Sequence, residues 1–239
     1  ARSRRRQAAA PATLEVAADP PSLPAGPGRL LSVALPLATF AAYAATLCPT
    51  IAGGDSGELV TVATRLAVAH PPGYPLFTLL GYLSSLIPIG EVALRVNLLT
   101  AACAAATAGL LFASLHRVCG NRWASVAGAL GFALAPLAWR YAIVTEVFAL
   151  ANLFVALALL LALGVVDRPS TRSLAALGCA GGLAMSNHHS FVFFGAPLAI
   201  WVAVATRGRL GVAAWAWASG AAVLGLAPYL FLLVARVED

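Results

Sequence analysis

The sequence has no lysine and little charge of any kind: Asp, Glu and Arg together make up 10% of its 239 residues. Soluble domains carry about a quarter charged residues, so a water-facing surface cannot be assembled from this inventory. Paired cysteine spacing is also missing. Cys48, Cys103, Cys119 and Cys179 are scattered and read as small apolar fillers rather than a disulfide framework or a zinc site. No internal repeat and no soluble domain are evident.

What remains is apolar. Hydrophobic residues make up 61% of the chain, with mean hydropathy +0.87, which predicts an all-α, polytopic transmembrane helical bundle. The net charge of +6 comes from arginines in short clusters between apolar runs. Membrane orientation explains that pattern better than nucleic-acid binding, and no nucleic-acid partner is expected. Residues 1–29 are predicted to be a disordered, basic, cytoplasmic tail. Glu15 and Asp19 weaken its reading as a transit peptide.

About 20 apolar residues cross a bilayer core. The run at 30–48 is the first candidate, followed by a Pro- and Gly-rich loop over 49–73. Segment 74–89 is short, about 24 Å as a helix, and contains Ser84, Ser85, Pro75 and Pro88. If it does not cross, then Arg2, Arg4, Arg5, Arg6, Arg29, Arg117, Arg122, Arg168, Arg172, Arg207 and Arg209 share the cytoplasmic side. Only Arg65, Arg95, Arg140 and Arg236 face away, as the positive-inside rule prefers. The expected spans, about seven by this reasoning, are 30–48, 91–115, 123–139, 142–165, 173–186, 190–206 and 211–235.

This topology sends the unusual polar residues to the non-cytoplasmic face: Asp55, Glu58, His70, Arg95, Arg140, Glu146, Asn187, His188 and His189. Ionisable groups at membrane depth are costly and mark functional sites by default. Each also has a bland reading. Asp55 followed by Glu58 has capping-box spacing at the start of an amphipathic helix over 57–68. His70-Pro71-Pro72-Gly73-Tyr74-Pro75 is a turn with interfacial rings. Arg95 could anchor at the interface or contact a phosphate. Arg140 and Glu146 could form a structural ion pair. The run Asn187-His188-His189 could simply end a helix, and adjacent histidines are weak evidence for a metal. No metal and no cofactor is expected.

The stretch GGDSGELVTVATRLAVAHPPGYPLFTLLGYLSSLIPIGEVALRVN at 53–97, with EVFALANLF at 146–154 and SNHHS at 186–190, resembles the protein O-mannosyltransferases of the transmembrane-protein-260 type. More loosely, it is similar to the GT-C superfamily of lipid-linked-sugar glycosyltransferases. The resemblance covers about 30–235. It implies a GT-C-like core over 30–239, with surface helices in a large first lumenal loop and a carboxylate there acting as base. Asp55 matches that carboxylate, with Glu58 beside it. His70, Arg95, Arg140, Glu146, Asn187 and His189 are then expected to contact donor phosphate or substrate. The implied donor substrate is dolichyl-phosphate mannose. The implied acceptors are Ser or Thr hydroxyls of secreted or membrane proteins, on immunoglobulin-like (IPT-type) domains of plexin- and receptor-like proteins. The implied location is the endoplasmic reticulum membrane, or the plasma membrane in a bacterium. Similar proteins continue past residue 239, so a truncated form is expected. A transporter, a lipid-binding protein and an inactive relative are the alternatives. Transport would call for polar groups near mid-membrane on discontinuous helices.

Overall fold

The computed structural model describes residues 27–235, with side chains from residue 30 onward. Apart from the backbone of 27–29, the expected tail over 1–29 lies outside the described residues. Among the described residues every regular element is helical. The helices are α1 (Pro27–Ala45), α2 (Ser56–Arg65), α3 (Pro75–Ser85), α4 (Val92–Cys119), α5 (Arg122–Ala133), α6 (Pro136–Ala142), α7 (Phe148–Asp167), α8 (Thr171–Asn187), α9 (Val192–Ala205) and α10 (Val212–Gly225). Short 3₁₀ turns at His189–Phe191 and Ala227–Leu233 follow α8 and α10.

Three of these stretches are long and apolar enough to cross a membrane: Val92–Cys119, Phe148–Asp167 and Val212–Leu233. Leu30–Ala45 and His189–Ala205 are apolar but shorter. Two expected spans are interrupted. The segment at 123–139 breaks between α5 and α6, where Pro136 cannot donate a backbone hydrogen bond and restarts the chain as a new first turn. The segment at 142–165 begins only at Phe148. Ile143, Val144, Thr145 and Val147 before it are β-branched, which disfavours helix, and 143–147 forms a connector.

Helix directions follow from contacts at identifiable positions. Pro36 in α1 lies against Gly109 in α4, and Asn97 near the start of α4 bonds the Cys48 carbonyl just beyond α1. Those two helices are therefore antiparallel. Asn97 also meets Thr145, just before α7, while Arg117 Nε donates to Asp167 Oδ2 at 2.6 Å at the other end. Hence α4 and α7 are parallel. The chain leaves α1 and enters α4 at the same end of the bundle, with α3, about 16 Å long at 1.5 Å per residue, between them. This end gathers α2, α3, the 143–147 connector and the end of α8. The far end carries the Arg117–Asp167 pair and the neighbouring α4–α5 and α7–α8 turns.

The parallel pair α8 and α10 packs through small residues. A Cβ on Gly178 or Gly182 would collide with the carbonyl of Ala218 or Ala222. Glycine at that four-residue spacing lets two backbones touch, as it does between helices in lipid. An apolar cavity of about 410 Å³, lined by residues such as Leu177, Met185, Phe191, Ala199, Trp215 and Leu226, lies among α8, α9 and α10.

Candidate active site

The site is built where α2 begins, and α2 is amphipathic as its pattern predicts. Leu59 and Val62 are buried, while Glu58, Thr61 and Arg65 are exposed. The expected capping box does not form. Asp55 occupies the N-cap position with helical dihedrals and makes no side-chain cap hydrogen bond. Glu58 turns away from the helix start to His70: its Oε1 accepts from the His70 backbone N–H at 2.6 Å, and its Oε2 faces His70 Nδ1 at 2.8 Å. Burial pushes the Glu58 carboxyl up, but the two His70 hydrogen bonds and the ring's charge outweigh it, leaving the group below its ordinary value.

His70 Nε2 lies 3.0 Å from the Tyr74 hydroxyl. In the tautomer whose Nδ1–H donates to Glu58, Nε2 accepts a hydrogen bond from the Tyr74 hydroxyl, an assignment made from the network. Tyr74 is buried and sits in the left-handed region at φ 40°, a conformation costing a non-glycine residue about 1–3 kcal/mol and typical of functional sites. Burial, then the charges of Asp55, Glu58 and Glu146, raise its phenol above the ordinary value. The hydroxyl therefore stays protonated and available to donate.

Glu146 arrives from the connector. It is 9% exposed, and its Oε1 would lie 3.6 Å from a Cβ on Gly54, the residue before Asp55. Gly54 has φ +79°, so glycine serves the turn here, and Glu146 lies at ordinary contact distance from it. Burial first, then the charge of Asp55, raise the Glu146 carboxyl. His70, the Val147 N–H and Arg140 pull it down, with the net shift upward. Two carboxyl groups, one exposed and without a capping bond and one buried and raised, thus lie near enough for the charge of one to act on the other.

The connector is pinned along its length. The Cys48 N–H donates to the Ile143 carbonyl at 3.0 Å, and Thr100 Oγ1 to that of Ala142 at 3.2 Å. Asn97, fully buried, donates to the Cys48 carbonyl at 2.8 Å and accepts from Thr145. Asn187, equally buried, donates to the Val147 carbonyl at 3.2 Å, and its Oδ1 has no hydrogen-bond partner. The two asparagines thus grip the residues on either side of Glu146.

Of the residues expected at the site, Asp55, Glu58, His70 and Glu146 come together, with Arg140 close enough to influence Glu146. Arg140 is exposed. Three do not fit the roles assigned to them. Arg95 spends Nε, Nη1 and Nη2 on the carbonyls of Ile89, Ser85 and Gly90 at 2.7, 2.9 and 2.8 Å. It clamps the α3–α4 turn rather than facing a phosphate. Asn187 is a buried structural donor rather than a substrate contact. His189 reaches the Tyr229 hydroxyl, which donates to the Met185 carbonyl at 3.1 Å. Its neighbour His188 faces the cluster instead, stacked on Tyr74 with ring centres 5.7 Å apart and in contact with Phe148 at 5.8 Å. Burial, then the charge of His189, lower the His188 imidazole below its ordinary value. Sequence reasoning missed Tyr74, Asn97 and the ring contacts of His188. Their signal was slight, since neutral polar residues do not stand out in an apolar chain. Among the described residues no three His, Cys, Asp or Glu side chains gather as metal ligands would.

Comparison with known proteins bears on the same segments. A family model described as the protein O-mannosyl-transferase TMEM260 N-terminal domain matches residues 55–210. The chain is 40% identical over 193 residues to the protein O-mannosyl-transferase TMEM260 of Mus musculus, a match covering 76% of this chain and 27% of that protein. It is 32% identical over 212 residues to the protein O-mannosyl-transferase tmem260 of Dictyostelium discoideum, covering 80% of this chain and 26% of that one. The chain thus spans about a quarter of the length of the curated relatives it matches. No solved structure matches it significantly.

Proposed function

The chain belongs to the TMEM260 family of protein O-mannosyl-transferases, and from that premise we propose that it carries the reacting centre for moving mannose from a lipid phosphate to a protein Ser or Thr hydroxyl. The observation that carries this reading is the uncommitted Asp55 carboxylate, set against buried Glu146 across Gly54. Asp55 takes the proton of the acceptor hydroxyl as its oxygen attacks the anomeric carbon. The bond from that carbon to the phosphate oxygen breaks, and the lipid phosphate leaves with the electron pair. General-base assistance of this kind contributes about 10²–10⁴-fold.

Exposed Arg140 suits the departing phosphate, because negative charge grows there in the transition state. Glu146, whose carboxyl burial raises above its ordinary value, suits a sugar hydroxyl, with which it can exchange a hydrogen bond. Tyr74, His70 and Glu58 form a relay that fixes the loop following α2. The donor is dolichyl-phosphate mannose and the acceptor a folded lumenal or extracellular domain of a secreted or membrane protein. The cluster faces the lumen of the endoplasmic reticulum and the arginine-bearing turns face the cytoplasm. About seven crossings and a GT-C-like core complete the reading. Those are the parts that arginine placement and the family resemblance support.

The test uses the full chain in membranes, supplied with labelled dolichyl-phosphate mannose and a folded extracellular acceptor domain. Transfer that is lost in Asp55→Asn supports the reading. Full transfer by Asp55→Asn removes Asp55 from the mechanism, and uptake of label into vesicles without transfer favours a transporter.

A further inference from the structure

The rings at the site form a ribbon, of which the reaction as described leaves His188, Phe148 and Tyr141 unused. His70 packs edge-on to Tyr74 at 5.1 Å, Tyr74 stacks on His188, His188 touches Phe148, and Phe148 touches Tyr141 at 4.8 Å. One end of the ribbon is closed, with Tyr74 buried and His70 tied to Glu58. The other end is open. Phe148 is 38% exposed, although Ala149 and Leu150 beside it are only 2% exposed. That opening occurs two residues from Glu146 and beside Tyr141, which follows Arg140 in α6.

We propose that Tyr141, Phe148 and His188 form a hexose-ring subsite, and that the pyranose lies with its C–H face on these rings while its hydroxyls reach Glu146. This deepens the glycosyltransfer reading above and rests on it. A hexose is apolar on one face and hydroxylated at its edge. A partly open aromatic wall with a few convergent polar groups matches both parts. Position fits as well. Glu146 lies two residues before Phe148, and Arg140, exposed and next to Tyr141 in the chain, is near enough to act on the Glu146 carboxyl. A sugar on Phe148 would thus sit beside a carboxyl group and a cation.

The test compares two lipids on the full chain in membranes: dolichyl-phosphate mannose as donor, and dolichyl phosphate without the sugar as competitive inhibitor. Phe148→Ala raises the donor KM roughly three- to tenfold, the range an aromatic contact carries. Inhibition by the sugar-free lipid stays unchanged, and Phe148→Trp restores the donor KM. An unchanged donor KM overturns the subsite. So does an equal weakening of both lipids, which would mean Phe148 acts on the tail or on the fold. If the parent chain transfers no mannose, the transfer reading fails separately. Equilibrium binding of the two lipids then decides the subsite by the same comparison: a sugar-dependent loss in Phe148→Ala supports it, and no such loss overturns it.

Discussion

The half of the bundle around α4 and the 143–147 connector and the half formed by α8 and α10 are held together by opposite means. In the first, buried Asn97, Thr100, Thr145 and Asn187 make directional bonds to backbone and to one another. In the second, Gly178 and Gly182 press onto Ala218 and Ala222 beside a cavity with an apolar lining. Small-residue packing brings two helices close wherever the surfaces match. Hydrogen bonds fix where one particular carbonyl, and hence one carboxylate, must lie. A site that sets Glu146 against Asp55 needs the second kind of constraint. The α8–α10 seam needs only the first.

Three substitutions break that contrast in order of size. Asp55→Asn should lower transfer by about 10²–10⁴-fold and leave the thermal midpoint in detergent unmoved, because the carboxylate makes no capping bond. Initial rates and a melting curve on the same preparation check both halves of that statement, and a lowered midpoint would return Asp55 to a structural role. Gly182→Val should cost about 3 kcal/mol or more in denaturant unfolding, since its Cβ would meet the Ala222 backbone, which cannot step aside as a flexible side chain can. Surviving protein should keep its donor KM, because the seam does not touch the carboxylates. Asn97→Ala should cost about 2 kcal/mol, the scale of leaving buried partners unsatisfied. Unlike Gly182→Val, it should also slow transfer in the protein that remains folded, as the first loop and the connector lose their common anchor. If both variants slow the folded fraction equally, the division between the halves collapses.

The sequence pointed to the first half's ionisable residues more clearly than to the backbone that holds them. Asp55, Glu58, His70 and Glu146 were legible because ionisable groups are conspicuous in an apolar chain, and the α2 pattern placed Glu58 on its exposed face. Segment 74–89, which arginine clustering set apart from the expected spans, holds the short helix α3. What hydropathy could not register was backbone bonding. Pro136 sits in an unbroken apolar run yet ends a helix, and the β-branched 143–147 run stops another. Either could have been read as a break, but each was read as part of a span. Arg95 looked like a phosphate ligand because charge is visible in sequence and its three carbonyl acceptors are not. Adjacent His188 and His189 differ only in where the end of α8 turns them. The glycines of the second half were plain in sequence, but the alanines they meet were not.

The smallest effect sharpens the contrast from the first half alone. Glu146 is raised above the ordinary carboxyl range by burial and then by Asp55, so the folded chain holds its proton at a pH where the unfolded chain has released it. Stability from this group is therefore complete below the unfolded carboxyl pKa. It declines as pH rises through the raised folded value, the direction required when the native state binds more protons. Thermal midpoints in detergent, taken from mildly acid to neutral pH, should fall with a component that Glu146→Gln removes. Gly178→Ala, which disturbs only the α8–α10 seam, should lower the midpoint at every pH and leave that slope in place. A slope that survives Glu146→Gln would mean that another group is titrating, and that the connector holds Glu146 less firmly against Asp55 than its paired asparagines imply.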